Sequence, residues 1–169
     1  MIETPRLLIK PLSREELIMQ LESPGLLARD LGLSLPESPL NAETKEAILN
    51  DLLPGLSDPQ KDPLFYTMWI IIHKEKMAVI GGICFHGEPD QEGLVEIGYG
   101  TDENYRNMGY MAEALSGLVQ WVTGIKKVKT IGAVTVKDNL SSIRVLEKNG
   151  FELTFQDDQS VIMRLKIRE

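Results

Sequence analysis

Cysteine is almost absent from this chain, one residue in 169, which excludes an internal disulfide and any Cys-rich metal site. Histidine is nearly as scarce. His73 and His86 fall at separate strand ends without a paired carboxylate motif, so no metal is expected and both read as solvent-exposed rather than catalytic. No apolar run approaches the ~20 residues a membrane-spanning helix needs, and MIETPRLLIK lacks the long apolar core of a signal peptide. A cytoplasmic protein without a membrane partner is the expectation. Positive charge is also short: 18 Lys and Arg against 25 Asp and Glu leave a net charge of −7, the wrong sign for a general nucleic-acid binder.

What is present is ordinary for a globular chain, 43% hydrophobic and 25% charged. This length fits one domain over residues 1–169, able to bury roughly two thirds of its unfolded surface. Cys84, inside AVIGGICF, reads as a buried core thiol. RLLIKPL (6–12) alternates as a strand, and Ser13 followed by Glu16 forms a capping box that opens a helix over REELIMQLE. From Ser23 to Asp62 the chain is rich in Pro and Gly at both ends. A helix over ETKEAILNDLL lies between them, with an apolar stripe at 47, 48, 49, 52 and 53.

YTMWIIIH (66–73), AVIGGICFHG (78–87) and LVEIGYG (94–100) predict three strands of an antiparallel meander. A helix to about Thr123 follows, with Met111, Leu115, Leu118, Val119 and Val122 at helical spacing. VKTIGAVTV (128–136) is a strand, SSIRVLEKNG a short helix ended by Gly150, and FELTFQ with SVIMRLKI a closing strand pair. The strand–helix–strand unit across 94–136 predicts a parallel pair inside a mostly antiparallel mixed sheet, an α+β fold.

Between strand 94–100 and the next helix stands NYRNMGYM. Gly109 permits backbone conformations and close approach that a side chain would obstruct. The amides of Asn107, Met108, Gly109, Tyr110 and Met111 would then point out of a helix N-terminus, where the helix dipole favours an anion such as a pyrophosphate, and Arg106 would add a charge-assisted contact. A plain surface turn is the alternative. GxGxxG is absent, since Glu103 stands where the third glycine is required after Gly98 and Gly100; GxxxxGK[ST] is absent too. Dinucleotide and Walker-type ATP sites lose their main support.

The R-x-x-G-x-M loop after a strand, followed by NLSSIRVLEKNGF, resembles the Gcn5-related N-acetyltransferase (GNAT) superfamily, and most nearly its RimJ/RimL-type branch. TPRLLIKPL, VEIGYG, YRNMGYMAEAL and DNLSSIRVLEKNGF carry the likeness; residues 20–65 carry little. Met111 stands where the superfamily loop usually ends in Gly or Ala. The resemblance implies a GNAT-like fold: a central, mostly antiparallel mixed sheet, flanked by helices, with a splayed parallel strand pair. It also implies acetyl-CoA as co-substrate in the V-shaped opening, its pantetheine arm pairing with the main chain of Ile97 and Tyr99 as an added strand would. Gly98 removes a side chain where the thioester approaches, or marks a bulge. Ser142 would donate to the leaving thiolate, or cap its helix. Asn139 would contact the cofactor or hold the splayed strand, or serve as a turn residue. Tyr105 and Tyr110 would pack near adenosine or anchor the loop.

Acetyl transfer to an amine needs the neutral amine. An α-amine with a pKa near 8 is about a quarter to a third neutral at pH 7.5, a lysine only about one part in a thousand. Glu96 shares the strand parity of Gly98 and is the candidate base, direct or through water; a solvated strand carboxylate is the alternative. The backbone amide near Ile97 is the candidate oxyanion donor. The expected activity is N-acetylation of a primary amine, on a protein N-terminus or a small molecule, by direct attack in a ternary complex, with a monomer and a homodimer both compatible. A non-catalytic acyl-CoA sensor and a purely structural α+β domain are the alternatives.

Overall fold

The computed structural model describes residues 1–36 and 39–168. Local chemistry sets its first elements. The turn after Glu3 brings β1 (Ile2–Glu3) back against β2 (Leu7–Pro11). Ser13 then opens α1 (Arg14–Glu22) through the predicted capping box: its hydroxyl accepts from the Glu16 amide at 3.2 Å, and the Glu16 carboxylate accepts from the Ser13 amide at 2.7 Å. Pro24 at the first turn and left-handed Gly32 at the end frame α2 (Pro24–Leu31), a helix that the Pro and Gly content of this stretch does not predict. Asn41 caps α3 (Ala42–Ala47), which runs through a π-helical stretch at Ile48–Leu52 into α4 (Leu53–Ser57). The wider π turn changes the facing of the predicted stripe: Ile48 and Leu52 are buried while Leu49 is 56% exposed.

The remaining elements are β3 (Met68–His73), β4 (Ala78–Phe85), β5 (Leu94–Thr101), α5 (Tyr110–Thr123), β6 (Thr130–Val136), α6 (Leu140–Lys148), β7 (Glu152–Gln156) and β8 (Ser160–Lys166). The eight strands form one sheet in the order β1-β2-β3-β4-β5-β6-β8-β7. Among these strands only β5 and β6 pair in parallel. The fold is therefore the mixed α+β arrangement expected, with its meander at β3–β5 and its crossover through α5. Among the described residues no helix is long and apolar enough to cross a membrane.

Each face of the sheet carries its own core. On one face Met111, Ala114, Leu115, Leu118 and Val122 of α5 pack on Ile9, Ile71, Ile83, Ile97 and Ile131, with Leu146 of α6 in the same cluster. On the other, Leu17 of α1 and Ile48 and Leu52 of the middle helix cover Met68, Ile70, Ile72 and Val79. An extra residue in β4 opposite Ile71/Ile72 lets both Ile80 and Ile83 reach the α5 side. His73 departs from expectation: it is 6% exposed, because β3 is central at that register and its ring packs edge-on against Tyr110 at 5.2 Å.

Candidate active site

Parallel pairing of β5 with β6 runs from Leu94↔Thr130 to Ile97↔Ala133 and goes no further. Beyond it, β5 stays on β4 through Thr101↔Gly81, while β6 stays on β8 through Val136↔Ser160. The two strands thus separate into a wedge whose floor is Ile97 and Ala133. The His86 amide donates to the Glu96 carbonyl at 2.9 Å. Backbone groups alternate sides along an antiparallel strand, so those of Glu96, Gly98 and Gly100 serve β4 while those of Ile97 and Tyr99 face β6. Ile97 is still registered to Ala133. Tyr99 is the first residue whose main chain faces the wedge where β6 has left. The two positions expected to present their main chain together therefore differ, and the exposed amide and carbonyl are those of Tyr99.

Side chains sort by the same alternation. Ile97 and Tyr99 project toward α5 and α6, Glu96 and Gly98 toward the opposite face. Across the wedge, Tyr99 Oη lies 2.9 Å from Ser142 Oγ and donates to the Ser142 carbonyl at 3.1 Å. Burial pushes the Tyr99 phenol up, opposed by its hydrogen bond to Ser142, so it remains a neutral hydroxyl at working pH. Capping of α6 belongs to Asn139: its Oδ1 accepts from the Ser142 amide at 3.1 Å and the Ser141 hydroxyl at 2.8 Å. The Ser142 hydroxyl reaches Tyr99 and does not cap α6.

The loop at the mouth turns sharply into α5. Asn107 (φ 60) and Gly109 (φ 78) are both left-handed, which turns the chain into α5 with no described side chain capping its first amides. Space beside Gly109 is open: a Cβ at this position would meet only Arg6 Nη2, at 3.6 Å. Arg106 donates its Nε–H to the Thr101 carbonyl at 3.2 Å and lies 3.7 Å from the Glu103 carboxylate, at the rim. Met108 is exposed, Met111 buried in the core, and Tyr110 turned inward, its hydroxyl 3.0 Å from His73 Nε2. Tyr105, 6.2 Å from the Tyr110 ring, anchors the loop with it.

Arg6 is a residue of this loop's surroundings that the sequence alone does not single out. Its Nη1 donates to the Met108 carbonyl at 3.2 Å, and its guanidinium sits 4.4 Å over the Tyr110 ring. It lies inside TPRLLIKPL, yet nothing local ties that segment to a loop about a hundred residues later. Cys84 is half-buried rather than a core residue, because it lies on the β4 register opposite Gly98. Burial pushes its thiol up, so it is a poor nucleophile.

Comparison with known proteins agrees with this geometry. Residues 6–152 match the model of the acetyltransferase (GNAT) domain. The uncharacterized N-acetyltransferase YjdG of Bacillus subtilis is 40% identical over 88 residues, covering 52% of this chain and 52% of that protein. The chain spans about half the length of the curated relatives it matches. The GNAT-family acetyltransferase of Bacillus anthracis superposes with a TM-score of 0.66 at 20% identity, covering 99% of each chain. RimL, a ribosomal L7/L12 α-N-protein acetyltransferase solved with coenzyme A, gives 0.66 at 16%, covering 96% of this chain and 95% of its own. With the family pattern matched across most of its length and the splayed β5–β6 wedge in place, the chain belongs to the GNAT acetyltransferase domain family.

Proposed function

We propose that this chain is a single acetyltransferase domain that moves an acetyl group from acetyl-CoA to a primary amine by direct attack. The observation that carries the reading is the wedge itself: a parallel pair that stops at Ile97↔Ala133, with an uncapped helix N-terminus at its mouth. The residues fit the cofactor. The amides from Asn107 to Met111 suit a pyrophosphate, the Tyr99 main chain suits an added strand of pantetheine, and Gly98 leaves room for a thioester. Asn139 supports this edge by capping α6, and Arg106 and Arg6 add positive charge around the loop. Bound there, acetyl-CoA supplies an activated acyl group and a thiol leaving group.

The chain's own groups meet the remaining demands. Ser142, backed by the neutral Tyr99 hydroxyl, donates a proton to the departing sulfur. Glu96, on the other face of β5, draws the ammonium of the acceptor toward Gly98. The main chain of the Ile97–Tyr99 segment lies where the carbonyl oxygen gains charge. The raised Cys84 thiol disfavours a covalent detour. The acceptor is a protein N-terminus or a small amine; RimL is named for the first kind.

Thermal-shift titration with acetyl-CoA, against NADH and ATP, tests the reading. A ligand at 100 times its Kd adds about 2.7 kcal/mol, which raises Tm by roughly 5–10 °C in a domain of this size. Selective stabilisation followed by amine-dependent thiol release is expected. No shift at saturating acetyl-CoA overturns the reading, and a shift without turnover for any amine assigns the chain to acyl-CoA sensing.

A further inference from the structure

We propose that His86 is the group that takes the proton from the incoming amine, acting beside Glu96 on the open face of β5; this rests on the acetyl-transfer reading above. His86 is the first residue past β4, and its amide bonds the Glu96 carbonyl at 2.9 Å. The two are direct cross-strand partners, so their side chains leave the sheet from one face. Gly98 lies on that face two residues along β5. A Cβ placed on Gly98 stands 3.0 Å from His86 Nε2 and 3.7 Å from Cys84 Sγ. The imidazole therefore leans over the space that Gly98 leaves empty, where the strands part.

Gly87 takes φ +107, and the Tyr66 hydroxyl lies 3.6 Å from where a Gly87 side chain would begin. The chain turns away directly after His86, leaving the ring over Gly98. Two further groups share this face: Cys84 Sγ from β4, which borders the same Gly98 position, and the Glu96 side chain from β5, whose Cγ lies 3.5 Å from where a Gly132 side chain would begin. The ring is exposed, so a proton taken up there passes to water. On the opposite face of the same strand stand the hydroxyls of Tyr99 and Ser142. Proton removal and proton return are thus separated by one β-strand.

The ammonium gives one proton to His86 Nε2, the neutral nitrogen attacks the thioester carbon, the N–C bond forms and the C–S bond breaks. The second nitrogen proton makes up the thiol through Ser142, and His86 returns its proton to solvent. Imidazole suits the task because a ring nitrogen can both accept a proton and release it again.

The chain has two histidines, so His86→Gln assigns both imidazole C–H signals by proton NMR. Saturating acetyl-CoA, with binding verified by thermal shift, is expected to move the His86 signal more than that of His73. With Ala-Ala-amide as acceptor, His86→Gln is expected to lower kcat at pH 7 by roughly 100-fold, with KM for acetyl-CoA within about twofold and the deficit shrinking as pH rises and the amine loses its proton unaided. An unmoved His86 signal in protein that binds acetyl-CoA, an unaltered rate, or a deficit independent of pH overturns this inference while leaving the acetyltransferase reading standing. Protein that neither binds acetyl-CoA nor releases thiol overturns both.

Discussion

Ser142 shows how one residue's role depends on where its neighbours spend their hydrogen bonds. Asn139 already caps α6, which frees the Ser142 hydroxyl to reach Tyr99 at 2.9 Å across the wedge. Without Asn139, the serine would be drawn to the helix end, as serines near N-termini are. Ser142→Ala is therefore expected to act on chemistry more than on folding. Steady-state kinetics should show kcat down about 10–100-fold with KM for acetyl-CoA little changed. Chemical denaturation should find a stability loss of about 1 kcal/mol or less, since one partly exposed hydrogen bond is removed. A parallel rise in KM and collapse in stability would return Ser142 to a purely structural part.

At the scale of elements, the loop before α5 is held by the β1–β2 turn. Glu113 of α5 accepts from the Thr4 hydroxyl at 2.7 Å, the Arg6 amide at 2.9 Å and Arg6 Nε at 2.6 Å, while Arg6 reaches on to the Met108 carbonyl. Burial pushes the Glu113 carboxyl up, but the Thr4 and Arg6 hydrogen bonds and the Arg6 charge outweigh it and hold it below its ordinary value. A carboxylate with a depressed folded pKa contributes stability that is present above its unfolded value near 4.3 and is lost as pH falls through the folded value. Glu113→Gln is thus expected to cost about 0.5–1.5 kcal/mol at pH 7, and urea melts should show that gap closing below pH 4. A gap that persists unchanged at pH 3 would mean that shape rather than charge ties the turn to α5.

For the whole molecule, one sheet is shared between two cores, so neither helical layer has a folded partner without it. Leu115 is fully buried under α5 and Leu52 is 2% exposed on the other side. Leu115→Ala and Leu52→Ala are each expected to cost about 2–5 kcal/mol through lost burial and the cavity left behind. Because both cores rest on the same strands, circular dichroism and tryptophan fluorescence should report one coincident transition in each variant. Two separated transitions would show that the layers unfold independently.

Much of this architecture is legible in the sequence because its causes are local. The Ser13–Glu16 capping box, the period-two apolar runs of β3 to β5 and the period-3.6 stripe of α5 each depend on residues a few positions apart. The loop before α5 is legible for the same reason, as Gly109 states its backbone need within its own turn. What local spacing leaves open is which groups meet across the sheet. Tyr99 and Ser142 are 43 positions apart, and Arg6 and Met108 102 apart; only strand order brings them together. The histidines make the same point from opposite sides. Both sit at strand ends, yet His73 is buried by the central place of β3 and the Tyr110 ring, while His86 remains exposed but is set over Gly98 by the β4–β5 register. Sequence periodicity determined which face each residue would leave from; tertiary pairing decided what stood opposite, because register and splay are properties of two strands and not of either one alone.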